Sequence, residues 1–152
     1  MSSAELESIY HYLAISERVG TSGQPTAEQF ASIAAAGYQV IMNLRTPDPD
    51  GLAGEAELVA ALGMEYVYIP VVWKSPKPED LAEFFEAMDA CRDKKVWVHC
   101  AANARVSCFI LLYRVIREGV PLDLARETML RIWQPNTTWR RFVDRSLASY
   151  GV

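Results

Sequence analysis

The sequence is poor in cysteine, in histidine and in long apolar runs, and each shortage excludes something. Three cysteines in 152 residues, Cys91, Cys100 and Cys108, are too few and too irregularly spaced for a disulfide framework or a zinc site. The thiols therefore read as reduced, and no metal or other cofactor is expected. No apolar stretch approaches the ~20 residues needed to span a bilayer. The N-terminus MSSAELESIYHYLAISE lacks the basic start and apolar core of a secretory signal, so the expected location is cytoplasmic. Excess positive charge is also missing: a formal charge of −4 argues against nucleic-acid or membrane partners. Lysine disappears after Arg105, where Arg114, Arg117, Arg126, Arg131, Arg140, Arg141 and Arg145 supply every cation; this run reads as a solvated helical face. His11 has no partner visible in sequence and reads as a surface residue.

What is present is a packed globular composition, 51% hydrophobic, at a length suited to one domain. Strands alternate with helices from residue 26 onward. Thr26-Ala-Glu-Gln29 forms a capping box that opens a helix, which Gly37 closes. YQVIMNL (38–44), EYVYIPV (65–71) and KKVWVHC (94–100) read as core strands. Between them lie two Pro-rich loops, a short helix in GEAELVAALG, and a helix from about Pro78 to Arg92 whose apolar face holds Leu81, Phe84, Phe85 and Met88. A helix carrying Phe109, Leu112, Val115 and Ile116 follows, then one opened by Pro121 and a last one over TTWRRFVDRSLASYG. The expected architecture is α/β: one domain over 1–152 with a central, mostly parallel sheet of four or five strands covered by helices. Residues 1–17 read as an N-terminal extension, RVGTS as a further strand, and 120–152 as a helical C-terminal part.

Ligands bind beyond the carboxyl ends of strands in such sheets. Three loops lie there: Arg45–Gly51, Val72–Pro78 and Cys100–Arg105. The third, within VHCAANARVS (98–107), contains no glycine, yet a cysteine and an arginine bracket a turn that empties into a helix. Helix N–H groups and a planar guanidinium form a receptor for a tetrahedral oxyanion. The same positive partial charges favour a thiolate at Cys100, which could attack a bound phosphorus. A buried structural cysteine followed by a surface arginine fits the spacing about as well.

His99-Cys100, an Arg on the next helical turn and Ser107 resemble the Cys-based protein tyrosine and dual-specificity phosphatases. TSGQPTAEQF (21–30), VIMNLR (40–45), YVYIPVVW (66–73) and VHCAANARVS (98–107) resemble more closely a bacterial branch of small phosphatase-like domains, also found fused to β-lactamase-like hydrolases. The resemblance implies a phosphatase fold of dual-specificity type and a phosphomonoester substrate, protein-borne or small, hydrolysed through a phosphocysteine. It makes Cys100 the nucleophile and Arg105 the bidentate phosphate ligand. The amides of Ala101, Ala102, Asn103, Ala104 and Arg105 form the phosphate cradle. His99 helps to set the loop and activate the thiol, and Ser107 supports the thiolate as leaving group. Phosphate or sulfate should bind at the same place.

Two departures from the family pattern bear on activity. Four residues separate Cys100 from Arg105 where the family's loop has five, and Val106 stands at the usual Arg place. One residue along a helix is a turn of about 100°. Asn103 replaces the motif's glycine, a mild change because Asn tolerates left-handed backbone. The usual general acid falls near Val72, which has no proton to give. Asp80 on the same loop is the candidate acid, ahead of Glu79, Asp48 and Asp50, although a first-turn structural role suits it as well. Arg45 could contact an anion or make a loop salt bridge. Trp73 and Lys74 could shape substrate entry, while Cys108 and Cys91 read as core. Two other functions fit: an anion-binding module without turnover, favoured by Val72, and a rhodanese-like sulfurtransferase, whose loop has the same length.

Overall fold

The computed structural model describes residues 3–152. Its chain order is α1 (Ser3–Glu7), β1 (Leu13–Ala14), β2 (Val19–Ser22), α2 (Ala27–Ala35), β3 (Val40–Asn43), α3 (Glu55–Ala61), β4 (Glu65–Tyr68), α4 (Pro78–Ala90), β5 (Val96–His99), α5 (Ala104–Ile116), α6 (Leu122–Leu130) and α7 (Thr137–Ser149). The strands form one sheet in the order β1-β2-β5-β3-β4, parallel throughout except where β1 meets β2. β5 is therefore central, and the Cys100 loop leaves the middle of the sheet's carboxyl edge.

Strand alternation divides the core. Val40, Met42, Val96 and Val98 face a cluster built with Leu81, Phe84, Phe85 and Met88 of α4, the apolar face of α5, and Trp139 and Phe142 of α7. Ile41 and Trp97 point the other way, onto Phe30 and Ile33 of α2, Val59 of α3 and Ile9. Both faces are covered, which is why β3 and β5 can be apolar at every position but their last. Gly20 makes this possible locally: a Cβ there would lie 2.6 Å from the Trp97 ring.

The capping box of α2 forms as its sequence predicts, Thr26 Oγ1 accepting from Gln29 N–H and Gln29 Oε1 from Thr26 N–H. The strands are shorter than the apolar runs. Even so, Leu44 N–H donates to His99, Ile69 N–H to Asn43 and Val71 N–H to Leu44, so backbone pairing continues through the longer segments. β4 is an edge strand whose ends are exposed, so EYVYIPV is less buried there than the core strand its sequence predicts. The RVGTS strand is present as β2. β1 was not foreseen: two residues carry too little periodicity to register. Together with Leu6 and Ile9 it ties the N-terminal segment to the sheet and core. No described helix is long and apolar enough to cross a membrane.

Candidate active site

The site is built where β5 stops. His99 ends the strand fully buried, and Cys100 follows it at 1% exposure. The chain then turns through Ala101, Ala102 and Asn103 into α5. Asn103 adopts the left-handed conformation at φ 67° and ψ 2°, the job glycine does in the family's usual loop. Its side chain is also anchored, Nδ2 donating to the carbonyl of His11 at 2.9 Å and to Thr21 Oγ1 at 3.1 Å. A glycine here could supply the backbone angle but neither bond. His11 itself is exposed, as expected from sequence; it contributes its carbonyl.

Gly23 lets β2's exit pack against this loop. A Cβ there would stand 2.7 Å from the Ala101 carbonyl oxygen. The next residue, Gln24, donates its backbone N–H to that same oxygen at 3.1 Å.

Among the described residues, the amides of Ala101, Ala102, Asn103, Ala104 and Arg105 have no protein acceptor, and the 13-residue α5 begins beneath them. Helix N-terminal amides are normally left for caps, water or ligands. Arg105 lies at the second helical position, 6% exposed. Its Nη1 donates to the Val71 carbonyl at 2.9 Å, and its buried Nε has no partner. No carboxylate pairs with it among the described residues. A buried cation without a counter-charge, beside unpaired amides, is electrostatically suited to an oxyanion.

Trp73 closes the neighbouring side. Its ring centre is 5.8 Å from the Arg105 guanidinium carbon. Trp133 and Trp139 back it at centroid distances of 5.3 and 5.8 Å. Trp139 Nε1 also donates to the Trp73 carbonyl. Trp73 keeps 38% of its surface exposed and Val72 46%, so this rim meets solvent as an apolar edge. Lys74 beside them is exposed.

The other expected residues fall as follows. Ser107 Oγ donates to the Ala104 carbonyl at 2.7 Å and accepts from Trp133 Nε1 at 2.9 Å, so its proton is engaged within the helix. Arg45 makes a bidentate pair with Asp48, at 2.8 and 3.0 Å, which selects the loop salt bridge over free anion contact. The hydrogen bonds from Arg45 hold the Asp48 carboxyl below its usual range, so Asp48 stays ionised at neutral pH. Asp80 sits in the first turn of α4, and no hydrogen bond joins it to the Cys100 loop. Burial raises its carboxyl pKa against the lowering effect of the Lys77 amide and charge. Cys108 is buried in the core, where desolvation pushes its thiol up to about 12, and burial raises Cys91 too.

Glu55 was missed. It opens α3, 6% exposed, with Oε2 2.7 Å from His99 Nε2. Oε2 also accepts from the Tyr66 hydroxyl at 2.9 Å, and Oε1 from Gln24 Nε2 at 2.8 Å. Burial would raise its pKa, but the bonds from His99, Gln24 and Tyr66 outweigh burial and lower it. In sequence it is one acidic residue among several in a short amphipathic helix, and only the pairing with His99 distinguishes it.

A family model described as DSP-PTPase phosphatase fused to NAD+ kinase matches residues 13–145. The chain belongs to this family. A β-lactamase hydrolase-like protein of Xylella fastidiosa is 36% identical over 107 residues, covering 67% of this chain. The match spans only 24% of that relative's own length. The crystal structure of a DUF442 protein from Shewanella putrefaciens is 35% identical, with a TM-score of 0.89 over 99% of this chain and all (100%) of that one. The core catalytic domain of the PP-IP phosphatase SIW14 from S. cerevisiae, in complex with citrate, shares the fold at a TM-score of 0.76 and 14% identity, covering 90% and 85% of the two chains. Membership of a phosphatase family agrees with the resemblance in the sequence, and does not favour the sulfurtransferase or the binding module.

Proposed function

We propose that this phosphatase-family domain hydrolyses a phosphomonoester through a phosphocysteine on Cys100. The observation that carries the reading is the buried, carboxylate-free Arg105 guanidinium beside five amides without protein acceptors. In this reading those groups hold three phosphoryl oxygens while Cys100 Sγ attacks phosphorus. The P–O bond to the leaving group breaks as the S–P bond forms. Water then attacks the phosphocysteine, releasing phosphate and the thiolate. His99 supports the loop, Lys74 and Trp73 flank the entrance, and Ser107 can support the thiolate only by releasing its bond to the Ala104 carbonyl. The citrate held by the yeast domain of the same fold is likewise an oxyanion.

The shorter loop alters how Arg105 works. With Nη1 anchored to the Val71 carbonyl, the unpartnered Nε is in this reading among the donors left for the anion. Asp80, whose carboxyl burial raises, is our proton donor for the leaving oxygen. The residues nearer Arg105, Val71 to Lys74, carry no carboxyl group. General acid catalysis contributes about 10²–10⁴-fold; with no hydrogen bond from Asp80 to the Cys100 loop, only part of that is delivered, so turnover should be slow and best with acidic leaving groups. The test is hydrolysis of phenyl phosphate by wild type, Cys100→Ser and Arg105→Ala. The reading predicts loss of turnover in the first variant and near loss in the second; full activity in Cys100→Ser would sink it.

A further inference from the structure

Glu55 makes no hydrogen bond to the loop, yet two of its three partners do. His99, bound through Nε2, faces the Cys100 carbonyl with Nδ1 at 3.3 Å, a hydrogen bond when the ring carries a proton on both nitrogens, as pairing with the Glu55 carboxylate favours. Gln24, bound through Nε2, donates its backbone N–H to the Ala101 carbonyl at 3.1 Å. One buried carboxylate thus fixes the groups that capture two successive loop carbonyls. In a planar trans peptide, each carbonyl points opposite to the N–H of the following residue. Turning the Cys100 and Ala101 carbonyls toward the Glu55 side turns the amides of Ala101 and Ala102 to the other side. Those are two of the amides without a protein acceptor. Tyr66, held by Asn43 Nδ2 at 2.9 Å, steadies the carboxylate from behind.

We infer that Glu55 is a positioning residue: through His99 and Gln24 it sets the orientation of the Ala101 and Ala102 amides that receive the phosphoryl oxygens. The inference rests on the phosphatase reading of the loop. Chemistry at the far side of β5 then governs anion affinity. Glutamine can replace the carboxylate in part: its oxygen can accept from His99 and Tyr66, and only the bond to Gln24 is lost, because Arg45 and the Pro25 carbonyl hold the Gln24 amide in its present orientation.

The experiment is a titration with inorganic phosphate, read by the amide ¹H–¹⁵N shifts of Ala101 and Ala102 in folded protein. Losing one charge-assisted hydrogen bond weakens binding by about tenfold. Glu55→Ala should lose at least that and blunt the shifts of both amides. Glu55→Gln should stay within about threefold of wild type, and Tyr66→Phe, a milder change should Glu55→Ala not fold, should lose about threefold. Wild-type affinity and shifts in both Glu55→Ala and Tyr66→Phe, or in Tyr66→Phe alone if Glu55→Ala does not fold, overturn the inference and leave the phosphatase reading intact. If wild type binds no phosphate and Cys100→Ser hydrolyses phenyl phosphate as well as wild type, both fall together.

Discussion

Arg105 donates from Nη1 to the carbonyl of Val71 at 2.9 Å, across 34 residues of sequence. It pins a buried guanidinium to the segment that follows β4. No carboxylate among the described residues balances this cation, and in the proposed function the anion does. Removing the guanidinium should therefore separate stability from binding. We expect Arg105→Met to melt at or above the wild-type temperature in phosphate-free buffer and to lose the rise in Tm that phosphate gives wild type. That rise corresponds to about 2.7 kcal/mol at a hundredfold excess over Kd. Differential scanning fluorimetry with and without phosphate measures both, and equal responses in the two proteins would contradict the account.

Asn103 combines a backbone role with a side-chain role, and two substitutions separate them. Asn103→Gly keeps the left-handed turn and loses the bonds to His11 and Thr21, at about 1–2 kcal/mol. Asn103→Ala loses both and should cost roughly 1–2 kcal/mol more. Urea denaturation should rank wild type, then glycine, then alanine. An alanine variant as stable as the glycine variant would show that the turn carries no strain.

The Glu55 cluster predicts an acid limb to stability. Burial raises this carboxyl, but the bonds from His99, Gln24 and Tyr66 prevail, leaving it below its usual 4.5. A group with a depressed folded pKa stabilises fully above its unfolded pKa, and that contribution is lost as pH falls through the folded value. The urea midpoint of wild type should therefore drop more steeply than that of Glu55→Gln between about pH 5 and pH 3. Parallel curves would mean that Glu55 has the same affinity for protons folded and unfolded.

Trp73 predicts a preference among leaving groups. A rigid, partly exposed indole beside Arg105 suits an aromatic ester. Trp73→Ala should lower kcat/KM for phenyl phosphate about threefold to tenfold. It should leave an alkyl phosphate of matched leaving-group acidity unchanged. Equal losses on both substrates would assign Trp73 a packing role only.

Much of this was legible in sequence because it rests on local patterns. The apolar runs marked β3 to β5, and Thr26 with Gln29 marked the start of α2. Asn103's tolerance of left-handed backbone identified the turn residue. The rest depends on contacts between distant segments. Glu55 meets His99 across 44 residues, and nothing local distinguishes it from Glu57. Whether Arg45 pairs with Asp48 or faces an anion depends on loop geometry, as does the anchoring of Arg105 to Val71. β1 escaped notice because a two-residue strand has no period to read.

The central claim is covalent chemistry at Cys100, and rapid acid quench tests it most directly. Wild type mixed with excess p-nitrophenyl phosphate, whose acidic leaving group departs with little need of a proton, should show one added phosphoryl group on the peptide containing Cys100, formed in a burst with p-nitrophenol, while Cys100→Ser shows neither. Steady hydrolysis by Cys100→Ser, or a wild-type burst with the phosphoryl group on another residue, would contradict the account.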